Sequence, residues 1–75
     1  MDWLKTLTVE RAQELYWDVV ECHFDMTDAR LARTALKCHA IATDSEYPLV
    51  ARALANRVGA HARELLRSRQ GLVLA

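Results

Sequence analysis

The sequence predicts an all-α protein, a compact antiparallel bundle of three helices that run up-down-up. Apolar residues recur every three or four positions in three separate stretches, which places them on one face of each helix. The chain is rich in alanine and holds only two glycines and one proline, a composition that favours helix and offers few breaks. Short polar clusters separate the stretches. We therefore expect helices at about residues 9–24, 28–42 and 46–69.

The length indicates one domain, residues 1–75, because a chain this short has no room for a second core. A core of this size supplies about 3–5 kcal/mol, so small domains often rely on disulfides, metals or partners. Two cysteines, Cys22 and Cys38, do not make a disulfide framework. The N-terminus lacks a signal-peptide pattern, and no apolar run approaches the roughly 20 residues of a membrane span. The sequence therefore predicts a soluble cytoplasmic protein.

The first seven residues predict a short apolar turn that places Trp3 on the core. Thr8 is expected to cap the N-terminus of the first helix, because its hydroxyl can accept a bond from a free backbone N–H. Trp17 and Phe24 widen the apolar face of this helix beyond what one helix contact needs. The residues predicted to form its buried face are Val9, Ala12, Tyr16, Val19, Val20 and His23.

The second helix has two candidate N-caps, Asp25 and Thr27. Its predicted core residues are Ala32, Ala35, Leu36 and His39, with Leu31 and Ala42 at the margin.

The third helix is predicted to begin near Pro48, which is tolerated in a first turn, and to end before a capping Gly71. Its predicted core residues are Val50, Leu54, Val58, His61 and Leu65, flanked by Ala51, Ala55 and Ala62. The flanking alanines would let a neighbouring helix approach closely. Beyond Gly71, the apolar residues Leu72, Val73 and Leu74 are expected to fold back or to dock elsewhere.

The charges divide the chain into an acidic and a basic half. Residues 1–28 carry seven acidic and two basic groups, and residues 29–75 carry three acidic and eight basic groups. Acidic residues at helical spacing form a stripe on the first helix, named here the acidic ridge: Glu10, Glu14, Asp18, Glu21 and Asp25. Like charges so placed destabilise a helix by about 0.2–0.5 kcal/mol per pair. The ridge is either a solvated face or a docking surface for a basic partner.

The three histidines offer the most tempting chemistry, but their heights along the bundle argue against one shared site. At a rise of about 1.5 Å per residue, His23 and His61 lie near one end and His39 lies roughly 15 Å away. We expect neutral imidazoles at the core margin, with a His23–His61 metal site that includes Cys22 as a distant alternative. Cys22 and Cys38 are separated by the same reasoning, and surface carboxylates do not form the paired acids of an apolar cleft. The sequence predicts no enzyme, no cofactor and no metal.

The basic residues of the third helix suggest an alternative function, a small DNA-binding regulator. Its contacts would be Arg52, Arg57, Arg63 and Arg67. Eight arginines against two lysines favour bidentate contacts to phosphate or carboxylate. However, the turn before this helix is long and lacks the usual glycine, and a pI of about 6.8 is low for a DNA reader.

The favoured function is a non-catalytic protein-interaction module. It would act as an adaptor or inhibitor by docking onto a larger protein assembly, such as one that handles nucleic acid, or by pairing with its own copies as a homodimer. The motivation is an aromatic face beside the acidic ridge, which a bundle of this size cannot easily bury. The predicted partner-binding residues are Glu10, Glu14, Trp17, Asp18, Glu21, Phe24 and Asp25.

Overall fold

The computed structural model describes residues 2–74, and side chains from residue 3 to residue 71. A short 3-10 helix spans Asp2–Thr6, and three α-helices follow: α1 (Val9–His23), α2 (Asp28–Ala42) and α3 (Leu49–Leu74). Residues 2–74 contain no β-strand. This arrangement confirms the predicted three-helix bundle, which measures 43 × 22 × 15 Å along its principal axes.

Threonine caps start the first two α-helices. The hydroxyl of Thr8 accepts a bond from the backbone N–H of Arg11, and that of Thr27 accepts one from the N–H of Arg30, both at 3.2 Å. Each bond satisfies one of the free N–H groups of a first turn. The structure thus confirms Thr8 and selects Thr27 over Asp25, whose backbone N–H instead donates to the Cys22 carbonyl in the turn after α1.

The predicted bounds of the third helix are wrong at both ends. A turn over residues 44–47 delays its start, because Asp44 accepts bonds from the N–H groups of Glu46 and Tyr47. At the other end, Gly71 has no positive φ and lies inside α3, so it is not a cap. The backbone of Leu72, Val73 and Leu74 continues the helix, and their side chains lie outside the described part of the structure.

The long helix α3 carries both other helices on its sides. α1 runs parallel to it: the Arg57 guanidinium lies over the Tyr16 ring, and His23 meets His61 one turn further along. Because both pairings advance in the same direction, α1 covers the first half of α3.

α2 runs antiparallel to α3, which completes the up-down-up order. Asp28 at its start pairs with Arg69 near the end of α3, at 2.9 Å. Cys38, near its end, packs against Gly59, where a Cβ would lie only 2.9 Å from the Cys38 Cβ. The two helices therefore approach closely enough to require a glycine at this crossing.

The core centres on small residues of α3 rather than on the larger ones that the sequence favoured. Leu31, Ala35 and Ala62 form its middle, with Met26, Leu65 and Leu66 packed around them. Val58 is buried as predicted, whereas Val50, Leu54, His61 and Leu65 are only half-buried. The alanines predicted to flank the core are fully enclosed: Ala51, Ala55 and Ala62. Small side chains lie at the closest approach because larger ones fit only at its margins.

The predicted core face of α2 is also wrong in part. Leu31 is completely buried, whereas Leu36 exposes 71% of its surface, and Ala32 and His39 are exposed too. Five positions separate the two leucines, which sets them about 140° apart on a helix, so one contact cannot bury both. Only Ala35 was assigned correctly.

In the N-terminal segment and in α1, some of the predicted core residues are buried and others are exposed. Leu4 is buried and Trp3 is half exposed, the reverse of the expected turn that places Trp3 on the core. On α1, Ala12, Val20 and His23 are buried as predicted, but Val9 at the first turn is exposed.

Candidate interaction surface

Two large aromatic side chains of α1 project into solvent. Trp17 exposes 65% of its surface and Phe24, which caps the helix, exposes 61%. Their spacing of seven residues places them on the same side of the helix, two turns apart. Each ring packs edge-on against one aromatic neighbour. The Tyr16 ring packs edge-on to Trp17 at 5.2 Å between centroids, and His61 meets Phe24 at 5.7 Å.

The acidic ridge runs directly beside these rings. All five of its residues, from Glu10 to Asp25, are exposed. Arg11 pairs with Glu14 at 3.0 Å, and such an exposed pair contributes about 0–1 kcal/mol. At about 100° per residue, the four ridge residues within α1 and the two rings share an arc of about 120°, and Asp25 follows in the turn after the helix. The seven predicted partner-binding residues are thus exposed on this side of α1 and in the turn that follows it, a surface named here the acidic-aromatic face.

An apolar groove between α1 and α3 adjoins this face, and sequence reasoning missed it. Its volume is about 290 Å³. The lining residues are Val9, Ala12, Gln13, Leu49, Val50, Ala53, Leu54 and Arg57. Periodicity alone predicts that Val9, Val50 and Leu54 lie in the core, so the sequence does not indicate a groove. The available signal was a second apolar row on α3, formed by Leu49 and Ala53 outside the main face.

The seam between α1 and α3 continues from this groove toward Phe24. The Arg57 guanidinium lies 4.2 Å from the Tyr16 ring centroid and closes one end of the groove. Next along the seam is a shallow depression lined by Tyr16, Arg57, Ala60, His61 and Glu64. Phe24 contacts His61 at the far side of this depression. One surface seam therefore joins the groove to both exposed rings.

His23 and His61 meet under Phe24, as their predicted heights require. Their Nδ1 atoms are 2.8 Å apart, a distance at which one nitrogen donates its hydrogen to the other. His23 is completely buried, and its Nε2 has no hydrogen-bond partner in the described part of the structure. Burial lowers the pKa of His23, and the neighbouring His61 lowers this pKa further. His39 is exposed on α2 and takes no part.

The predicted alternative of a metal site is not assembled around this pair. Cys22 is exposed, and its thiol points to the Asp18 carbonyl oxygen at 3.5 Å. Residues 3–71 hold no group of three or more histidine, cysteine or acidic side chains that could surround a metal ion. The two histidines instead form a hydrogen-bonded pair between α1 and α3.

The four arginines proposed as nucleic-acid contacts do not form one surface. By their helical positions, Arg52, Arg63 and Arg67 share one side of α3, and Arg57 lies about 80–140° away, toward α1. Arg67 forms an exposed ion pair with Glu64 at 3.4 Å, and Arg57 is engaged with the Tyr16 ring. The Nε of Arg52 is buried without a partner among the described residues.

Arg69 and a group of three basic residues on α2 lie apart from these four arginines. Arg69 donates to the carbonyl oxygens of Met26 and Phe24, at 2.8 and 3.2 Å, and pairs with Asp28. It thereby fixes the turn that carries Phe24, and satisfies carbonyls beyond the end of α1. On α2, a small basic patch is open to solvent: Arg30, Arg33 and Lys37.

Comparison with protein-family models, with curated proteins and with solved structures found no match to this chain. Within residues 2–74, no helix is both long and apolar enough to cross a lipid bilayer. The functional inference therefore rests on the chain's own residues.

Proposed function

We propose that this protein is a small non-catalytic interaction module that docks its acidic-aromatic face onto a basic surface of a larger protein. It acts there as an adaptor, or as an inhibitor that occludes the surface it covers. The observation that carries the proposal is the exposure of Trp17 and Phe24, at 65% and 61%, beside a ridge of five carboxylates.

The aromatic pair supplies the binding energy in this proposal. Tryptophan is enriched among the few residues that dominate protein interfaces, because its large ring loses little conformational entropy on burial. Trp17 and Phe24 are already held on one edge, by Tyr16 and His61, so their orientation is largely fixed before binding. Such preorganisation lowers the entropic cost of association.

The acidic ridge supplies orientation and partner choice. A concentrated negative surface accelerates encounter with a positive one and opposes acidic partners. A protein surface that normally holds nucleic acid is one such target, because its lysines and arginines already face outward. The proposed setting is the cytoplasm, in keeping with Cys22 and Cys38 as free thiols.

The test is capture of the tagged protein's partners from its native cell at moderate salt. The variant reverses three ridge charges: Glu14→Lys, Asp18→Lys and Glu21→Lys. Its matched control reverses three charges of the opposite sign on a different helix, α2: Arg30→Glu, Arg33→Glu and Lys37→Glu. We expect one stoichiometric partner that the wild type and the control retain and the ridge variant loses. Equal capture by all three proteins would contradict the proposal.

Self-association is a separate outcome of the same experiment. If only untagged copies of this chain return, the acidic-aromatic face is a homodimer surface, and docking onto another protein is refuted. Sedimentation of the purified protein at several concentrations gives the same answer independently, since a monomer at all of them excludes the homodimer.

DNA binding through α3 is the second candidate, favoured by Arg52, Arg63 and Arg67 on one side of the helix. A DNA-binding protein that contacts several phosphates loses affinity steeply as salt rises. Titration of duplex DNA at low and at physiological salt tests this candidate. The absence of binding at low salt would exclude it.

A further inference from the structure

We propose that the groove between α1 and α3 receives an amphipathic helix of the partner protein, with lysines or arginines along the flank that lies over α1. The inference rests on the proposed docking function and specifies the kind of segment that docks. The distinguishing feature is the seam that connects the groove to the rings of Trp17 and Phe24.

The length of the seam matches a helical ligand. It begins at Val9 and Leu49, which stand exposed at the mouth of the groove, and ends at Phe24. From Val9 to Phe24 the helix rises by about 22 Å, equal to about four turns of a second helix lying alongside. Exposed apolar residues at both ends, and Trp17 between them, suit anchors spaced every three or four residues, the usual pattern of helix-in-groove recognition.

The charges around the groove determine the partner's orientation. On α1, Glu10, Glu14 and Glu21 lie within about 60° of Trp17, on the side of that ring away from the groove lining. The α3 side carries mixed charges, with Arg57 and Glu64 beside the seam. Basic residues on the flank of a partner helix that lies over α1 would therefore be attracted to the protein. Basic residues on the flank that lies over α3 would not strengthen binding.

A second copy of this chain fits the groove less well than a different protein does. On α3, the side that carries Arg52, Arg63 and Arg67 is basic, but among the described residues its one exposed large apolar side chain is Leu49, at the groove itself. The other basic surface is the outer side of α2, which carries Arg30, Arg33 and Lys37. The one large apolar residue exposed there is Leu36, surrounded by alanines. Such a helix provides one anchor, whereas the seam offers contacts along several turns.

The probe for this inference is a synthetic amphipathic peptide of about 15 residues, with leucines at helical spacing and lysines along one flank. A second peptide replaces the lysines with glutamates. Affinity for the full-length protein is measured by calorimetry. Trp17 fluorescence is followed in a Trp3→Phe background, so that a blue shift reports burial of this ring. We expect one lysine peptide per chain, a blue shift, and at least tenfold weaker binding of the glutamate peptide.

A pair of matched variants locates the bound peptide. Ala53 lies in the groove and Ala40 lies on α2, and both are exposed, so a lysine at either position leaves the core intact. Ala53→Lys should weaken peptide binding at least tenfold, and Ala40→Lys, which adds the same charge, should not. Circular dichroism verifies that both variants remain helical.

These results test the inference about the groove separately from the proposed docking function. Failure of the lysine peptide to bind, equal binding of both peptides, or equal binding by Ala53→Lys and wild type would overturn the inference about the groove. Dimerisation of the chain that Ala53→Lys abolishes would also overturn it, in favour of a second copy. The proposed function would survive any of the first three results if the cellular partner still bound the wild type and not the ridge variant.

Discussion

The two sides of α3 are built in opposite ways. Toward α2 the contact is made by small residues, with Gly59 and Ala62 at the closest approach and Leu31 completely enclosed. Toward α1 the contacts join larger side chains, Tyr16 to Arg57 and Phe24 to His61, and much of the aromatic surface beside them remains in solvent. The contact between α2 and α3 is closed and completes the fold. The contact between α1 and α3 leaves an exposed apolar surface that the fold does not need, and we assign this surface to a partner.

The largest expected effect on stability comes from the closed α2–α3 seam. Leu31→Ala removes a completely buried leucine side chain and should lower the free energy of unfolding by about 2–5 kcal/mol. Leu36→Ala makes the same chemical change on the exposed side of α2 and should cost no more than about 0.5 kcal/mol. Chemical denaturation of both variants measures the difference. Equal losses would mean that the buried face of α2 is misassigned.

The two glycines of α3 give a smaller contrast of opposite sign. A Cβ on Gly59 would lie 2.9 Å from the Cys38 Cβ, so Gly59→Ala overpacks the seam at a cost of about 1–3 kcal/mol. Better helix propensity offsets about 1 kcal/mol of this loss. A Cβ on Gly71 meets nothing within 4 Å, so Gly71→Ala should stabilise by up to about 1 kcal/mol. Stabilisation by Gly59→Ala would show that α2 and α3 lie further apart.

The histidine pair should make the α1–α3 seam sensitive to acid. Burial and the neighbouring His61 lower the pKa of His23 below the ordinary value of 6.5. Between these two pKa values the unfolded chain binds more protons than the folded one, so stability falls as the pH drops below about 6.5. The loss levels off below the pKa of the folded state. The charged groups beside His61 are Arg57 and Glu64, both on α3.

A pair of histidine substitutions tests whether His23 causes this acid sensitivity. His23→Leu should flatten the decline in melting temperature between neutral and acidic pH, and His39→Leu, at an exposed position, should leave it unchanged. The measurement is a series of thermal melts across that range. An unchanged decline in His23→Leu would show that carboxylates elsewhere, rather than the buried imidazole, cause the acid sensitivity.

Local features of this fold follow from the sequence, and the choice of helix faces does not. Thr8 and Thr27 cap their helices through bonds within three residues, which local chemistry determines. The meeting of His23 and His61 follows from the rise per residue of two parallel helices. In α2, by contrast, alanines surround both Leu31 and Leu36, so hydrophobicity alone gives little basis for choosing between them.

For the candidate site, the part that lies on one helix also follows from the sequence, and the part between two helices does not. Exposed residues of α1 form the acidic-aromatic face on a single helix, so their periodicity predicts it. The groove needs the distance between two helices, which the residue pattern of one helix does not give. Arg69 bridges to the turn after α1 across more than forty residues of chain, a contact that no local pattern encodes.

A small effect on stability is expected of the double variant Trp17→Ala, Phe24→Ala. Both side chains are mostly exposed, so each change should alter the free energy of unfolding by no more than about 1 kcal/mol. Thermal melts measure this change. A loss comparable with that of Leu31→Ala would show that the rings support the fold.

The most direct test of the docking surface is the affinity of the captured partner for this double variant, measured beside its melting temperature. Trp3→Ala is the matched control, because Trp3 is an exposed ring outside the acidic-aromatic face. Interface aromatics commonly contribute about 2 kcal/mol or more each, so we predict at least a 100-fold loss of affinity in the double variant. The melting temperature and the affinity of Trp3→Ala should remain close to wild type. Unchanged affinity of the double variant would contradict the account.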